Sequence, residues 1–288
     1  MLARFVFAVA VAAVGILAPS AAASQLIGRN ASAVHLSVDQ QGRALVTYES
    51  GGAAARVLAW GAVNGSPPSR APQVRFRTTR SAPGRFRNVC GPYSGPPLAW
   101  VVAACTAPDG SNWALQSWQR RLPDYGLAAS PDQAAWELRL SHWTGAPATL
   151  DIHLDWSYRR FDHLYGSLTY QGQPVYGLAS TSRGSPLDDY GRNIYVDTFN
   201  SAYGAGWKRD NSALTHRPNG AFCYGFYPHA GRPAGTGQQY RATVIGPGVS
   251  PDVSWEAPAP GPYNPVLDAV ANNAQRLLLA SDSRCKIN

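Results

Sequence analysis

The sequence predicts a mainly β protein, an antiparallel β-sandwich or jelly-roll-like domain ending in a short C-terminal helix, and three observations carry that prediction. Apolar and polar residues alternate through many short runs. Turn dipeptides punctuate those runs at the spacing of consecutive antiparallel strands, not of alternating βαβ units. The composition, with 28 Gly, 23 Pro, 14 Tyr and 9 Trp in 288 residues, suits strands joined by tight turns better than helices with long charged faces.

Taken in chain order, the first element is not a strand. Arg4 is the one charge before an apolar run, Phe5 to Leu17, and Pro19-Ser20-Ala21-Ala22-Ala23 follows with small residues at the positions a signal peptidase reads. Residues 1–23 therefore read as a secretory leader, with the mature chain starting at Ser24. The run is shorter than the roughly 20 residues of a membrane span. A secreted protein is expected, extracellular or loosely associated with the cell wall, with no transmembrane anchor in the mature chain.

Strand alternation begins at Ala33 to Asp39, where Val34, Leu36 and Val38 face one way and His35 and Ser37 the other. Further strands are expected over Arg43 to Glu49, Arg56 to Ala62, Gln73 to Thr78, Leu98 to Thr106, Asn112 to Arg120, Ala134 to Trp143, Thr149 to Tyr158, His163 to Gln171 and Tyr240 to Ile245. Asp109-Gly110, Thr144-Gly145, Gln171-Gly172 and Pro247-Gly248 supply turns between them. Ser185 to Gly237 reads as glycine-rich irregular loop, including Asp188-Asp189-Tyr190 and Asn200 to Gly204. One principal β domain is expected over 24–256, followed at 257–288 by a proline-rich connector and a helical tail with Val266, Leu267, Val270, Leu277 and Leu278 at helical spacing.

The chain carries 25 basic and 17 acidic residues, and loss of the leader removes only Arg4. Nearly all the basic residues are arginine. Between Ser50 and Pro108 there is no acidic residue, while Arg56, Arg70, Arg75, Arg77, Arg80, Arg85 and Arg87 fall inside that stretch. It predicts a positive surface, either simply solvated or in contact with an anionic polymer of the cell envelope. Nucleic acid is not expected as a partner, because export removes it and no nucleic-acid motif is present.

Four cysteines in an exported chain predict two disulfides; three connectivities are possible, and spacing favours Cys90 with Cys105 and Cys223 with Cys285. The first closes a loop whose cross-linking contributes about 3 kcal/mol in the chain-entropy model. No C-x2-C pair suggests zinc, no G-x-S-x-G suggests a serine hydrolase, and no cofactor is expected.

One constellation stands out when the strands are sorted by parity. With Trp136, Leu138 and Leu140 inward, Glu137, Arg139, Ser141 and Trp143 share an outer face with Gln116, Trp118 and Arg120 on the preceding strand. Asp151, His153 and Asp155 join them from the following one, and His163 and Tyr165 from the next. Aromatic rings beside carboxylates, amides and guanidinium groups are a chemistry that binds sugars, which makes Gln116, Trp118, Arg139, Trp143 and Tyr165 candidate ligand-binding residues. Pairing of the Glu137 and Asp155 strands would also bring two carboxyls near the separation that retaining glycosidases use, with His153 beside them. Three function classes follow: carbohydrate or anionic-polymer binding, a glycoside hydrolase or polysaccharide lyase acting through Glu137, Asp155 and His153, and an extracellular protein-interaction module.

Overall fold

A computed structural model describes residues 24–66, 73–81, 84–175, 179–180, 186–187, 194–210, 214–216, 220–228 and 231–279 of the protein. The first half contains β1 (Gln25–Arg29), β2 (Ser32–Val38), β3 (Ala44–Ser50), β4 (Ala53–Trp60), β5 (Arg77–Thr79), β6 (Gly91–Pro92), β7 (Val101–Thr106), β8 (Asn112–Trp118), the single-turn helix α1 (Pro131–Ala134) and β9 (Glu137–Trp143). Strands β2 to β5 form one antiparallel sheet in sequence order, and a second has the order β1-β9-β8-β7-β6. The β3–β4 hairpin turns on Gly51 and Gly52, both at positive φ, a conformation that side-chain-bearing residues adopt at a cost. The two sheets close on a core in which Val38, Val46 and Val57 meet Trp113, Leu115, Leu138 and Leu140. The expected Cys90–Cys105 disulfide is present. Cys223 is also disulfide-bonded, and Cys285 lies outside the described residues, as do the leader and Asp188-Asp189-Tyr190.

The second half contains β10 (Thr149–Ser157), β11 (Phe161–Tyr170), β12 (Gln173–Pro174), β13 (Ala179–Ser180), β14 (Pro186–Leu187), β15 (Ile194–Ser201), β16 (Gly204–Asp210), β17 (Leu214–His216), β18 (Ala221–Gly225), β19 (Gln239–Val244), β20 (Val253–Pro258) and α2 (Pro265–Leu279). One sheet runs β10-β11-β18-β17 with β12 beside β11, another β16-β15-β19-β20, and β13 pairs with β14. Their core sets Ile152, Leu164, Leu168, Phe222 and Tyr224 against Ile194, Val196, Tyr240, Ala242 and Val244. Helix α2 covers the far face of β11 and β18, where Ala271 and Leu279 pack on Tyr165, Ala221 and Cys223.

The two pairs of sheets meet back to back. The face of β8 and β9 turned away from the first core meets the face of β15, β16 and β19 turned away from the second. The Trp118 and Tyr195 rings touch edge to face at 5.8 Å there, and Arg120 Nε donates to the Tyr195 hydroxyl at 2.8 Å.

The β class and the C-terminal helix are as expected, and four local expectations are corrected. Strand β9 pairs with β8 and β1, while β10 pairs with β11, so the Glu137 and Asp155 strands belong to different sheets. Second, all of β9 is buried; Trp136, expected inward, is exposed instead. Third, the stretch read as irregular loop holds β15, β16 and β18. Strand β15 is packed on both faces, so Ile-Tyr-Val-Asp shows no apolar/polar alternation to betray it. Fourth, of the five apolar residues that marked α2, Val266, Leu267, Val270 and Leu277 are exposed and Leu278 alone packs inward, while the helix docks through Asp268, Ala271, Gln275 and Leu279.

Candidate functional site

Along β9, Leu138 and Leu140 enter the first core, which turns Glu137, Arg139, Ser141 and Trp143 toward the seam between the sheet pairs. Arg139 has no solvent exposure. Its Nη1 donates to Glu137 Oε2 at 2.6 Å, its Nε to Ser24 Oγ at 2.7 Å, and its Nη2 to the Ser24 carbonyl. Asp252, equally buried, accepts hydrogen bonds from Ser24 Oγ on both carboxylate oxygens at 2.8 Å and from Trp118 Nε1 at 3.2 Å. Gln116 clamps the Asp252 backbone, donating from Nε2 to its carbonyl at 2.9 Å and accepting from its amide at 3.0 Å. Burial raises the Asp252 carboxyl above the ordinary carboxylate range, against the pull of Arg139 and of its hydrogen bonds. Burial also pulls Arg139 below the usual guanidinium range, with Asp252 and Glu137 holding it up.

A second ionic centre lies across the seam. Asp197 accepts from Arg209 Nε and from Arg241 Nε and Nη2 at 3.0 and 2.8 Å. The Arg209 guanidinium lies 4.0 Å from the Tyr195 ring centroid and that of Arg241 lies 4.2 Å from Trp207. Both cations thus face aromatic rings as well as the carboxylate.

The seam opens to solvent in a crevice of about 250 Å3 walled by Arg29, Arg75, Arg120, Arg121 and Arg139, with Glu137 the acidic residue in its lining. Arg139 lies at its floor. Glu137 is held by three of these guanidinium groups: Arg139 at 2.6 Å, Arg29 Nη2 at 3.7 Å and Arg120 Nη1 at 3.9 Å. Five cations face one carboxylate, a clear positive excess in a half-enclosed space where charge is poorly screened. Arg75 brings the acid-free stretch of the sequence to this wall.

A second concavity, about 830 Å3, runs between the β10 edge, the Pro258–Pro262 segment and α2, and is lined by His153, Asp155, Trp156, Tyr165, Trp255 and Leu267, among others. The His153 and Tyr165 rings stack at 5.4 Å. Burial raises the Asp155 carboxyl, and the charge of Asp268 adds to the effect. Burial likewise pushes the Tyr165 hydroxyl up to about 12. Beneath α2, His163 is pushed down to about 4 by complete burial; its Nε2 lies 3.3 Å from Gln275 Nε2, and its Nδ1 has no partner among the described residues.

The predicted residues are thus divided. Gln116, Trp118, Glu137 and Arg139 come together, but inside the seam, and Trp143 is buried beside Tyr93 at 5.8 Å. The Trp118 and Trp143 rings, at 1% and 0% exposure, offer no platform to a sugar, because the second pair of sheets and neighbouring loops cover the face expected to be wet. Asp155, His153 and Tyr165 meet instead in the α2 groove, in a different sheet from Glu137, so the paired-carboxylate geometry is not formed. Among the described residues no three His, Cys, Asp or Glu side chains are grouped to hold a metal, and no helix is long and apolar enough to cross a membrane.

Sequence reasoning put Arg120 on the shared face and Ser24 at the start of the mature chain without giving either a part in a site, and it missed Arg29, Arg121 and Asp252 altogether. The adjacent Arg120-Arg121 pair at the end of β8 was a legible signal for the crevice; Asp252, lone between Pro251 and Val253, carried none. Compared with family models, curated proteins and solved structures, the chain matches none of them.

Proposed function

We propose that this protein is exported and binds an anionic polymer of the cell envelope, most simply an acidic polysaccharide, at the arginine-walled crevice. The observation that carries the reading is the set of five guanidinium groups around one carboxylate in a concave opening. Guanidinium groups recognise carboxylate and phosphate oxygens through paired, charge-assisted hydrogen bonds. Exposed Arg56, Arg77, Arg85 and Arg87 extend the positive field beyond the crevice and would attract a polyanion from a distance.

Binding of polygalacturonate, with neutral dextran as control, tests the reading by calorimetry at several salt concentrations. Replacing Arg29 and Arg121 with Ala is expected to weaken polygalacturonate binding about tenfold per residue, near 1.4 kcal/mol each, while Arg56→Ala and Arg85→Ala change it little. Equal losses from both pairs would mean that overall charge does the binding and would remove the crevice from the proposal.

A further inference from the structure

The seam contains one carboxylate whose cationic partner is committed elsewhere. Asp252 is fully buried, yet every hydrogen bond it receives on its side chain from the described residues comes from a neutral donor, Ser24 Oγ or Trp118 Nε1. The nearest guanidinium nitrogen, Arg139 Nε at 3.6 Å, points its hydrogen at Ser24 Oγ. Its Nη1 is taken by Glu137 and its Nη2 by the Ser24 carbonyl. A buried carboxylate in such a setting calls for a directly bonded cation.

Ser24 is also the residue at which the leader pattern ends, and it is fully buried, with its side chain on both oxygens of Asp252. The nitrogen of a serine is three bonds from its own Oγ and so lies within about 4 Å of it in any rotamer. We propose that cleavage of the Ala23–Ser24 bond creates the missing cation: the α-ammonium of Ser24 becomes the ionic partner of Asp252, and maturation thereby completes the seam. The chemistry is a peptidase-catalysed hydrolysis. Water adds its hydroxyl to the Ala23 carbonyl carbon as the C–N bond breaks, and the released amine of Ser24 takes up protons to become an ammonium, leaving a carboxylate on Ala23.

The consequence reaches the crevice. Strand β1 follows directly from Ser24, pairs with β9 from Gln25↔Leu140 to Arg29↔Glu137, and supplies Gln25, Leu26 and Arg29 to the crevice wall. An ionic anchor at Ser24 would fix one end of that wall. The inference stands without the polymer-binding reading; it rests on the seam and on the proposed export with cleavage after Ala23.

The test uses the full exported chain and its amines. Lys208 and Lys286 are the only lysines, so acylation of the α-amine is readable by mass spectrometry. Intact mass should place the first residue at Ser24. In the native protein the Ser24 amine is expected to acylate at least about 100-fold more slowly than in the unfolded chain, because reaction must await local opening. Asp252→Asn should restore much of that reactivity. A variant retaining Ala23 should melt several degrees lower, and Asp252→Asn should cost it less than it costs the mature chain, because the ion pair is already absent. A mature chain that starts elsewhere, an amine that reacts equally fast folded and unfolded, or protection unchanged by Asp252→Asn would each overturn the proposal. Should Asp252→Asn fail to fold, the melting temperature of the Ala23-retaining variant decides alone: equal to that of the mature chain, it refutes the pairing.

Discussion

Two interiors of this molecule bury polar groups, and they do so on opposite terms. In the seam, Arg139, Glu137 and Asp252 on one side and Asp197, Arg209 and Arg241 on the other sit nearly without solvent, arranged as cations against carboxylates. Under α2, His163 is equally buried but meets neutral groups, the Gln275 amide and the stacked Tyr165 ring, and burial drives it to the neutral form. The difference teaches that burial by itself does not decide charge in this protein; the presence of a counter-charge within bonding distance does.

That contrast predicts a graded set of responses. The largest is expected from Arg139→Ala, which takes from Glu137 its closest cation and from Asp252 its nearest guanidinium in a dry interior. Breaking one member of a buried ionic set costs about 3–5 kcal/mol, and urea unfolding should register a loss of that size; a loss under about 1 kcal/mol would mean that water enters the seam and the contrast fails. Next comes the neutral interior. Since His163 titrates near 4 in the folded chain and near 6.5 when unfolded, the unfolded state binds the extra proton between those values. Stability from this residue is therefore present above pH 6.5 and lost as pH falls toward 4, by up to about 3 kcal/mol. His163→Gln should flatten that part of the stability profile, and an unchanged profile would show that His163 is not the group responsible. The smallest effect is expected where neither burial nor pairing is strong: His153 and Asp151 lie 3.7 Å apart with both side chains more than half exposed, so Asp151→Asn should change stability by less than about 0.5 kcal/mol in the same urea experiment.

The same contrast explains which parts of the fold were legible. On β2, Val34, Leu36 and Val38 pack on the first core while His35 is exposed, just as alternation indicates, because that sheet has one covered face. On β9 the alternation Glu-Leu-Arg-Leu-Ser is equally clear and its apolar half packs as expected, yet the polar half is buried as well. Parity separated the two faces correctly and said nothing of what covers the second. Helix α2 shows the reverse: its apolar spacing located the element, but Val266, Val270 and Leu277 lie on the exposed side, because the contact with β11 and β18 uses the smaller Ala271 and the polar Asp268 and Gln275. Of the candidate residues, Gln116, Trp118, Glu137 and Arg139 do converge, since β8 and β9 are neighbours both in sequence and in the sheet. Asp155 does not join them, because β9 is flanked by β1, more than a hundred residues earlier in the chain, a pairing with no local signature.

The sequence by itself determined the β class, the outer strands of the first half, the C-terminal helix and the Cys90–Cys105 link, all properties written in residue spacing over a few to some fifteen positions. Only the tertiary structure decided that the polar face of β8 and β9 meets another sheet instead of solvent, that Ser24 and Asp252 touch across the length of the chain, and that five arginines wall one crevice. The physical reason is range: alternation, turn chemistry and a short disulfide loop act between near neighbours, whereas the burial of a charge depends on whichever distant segment comes to lie against it.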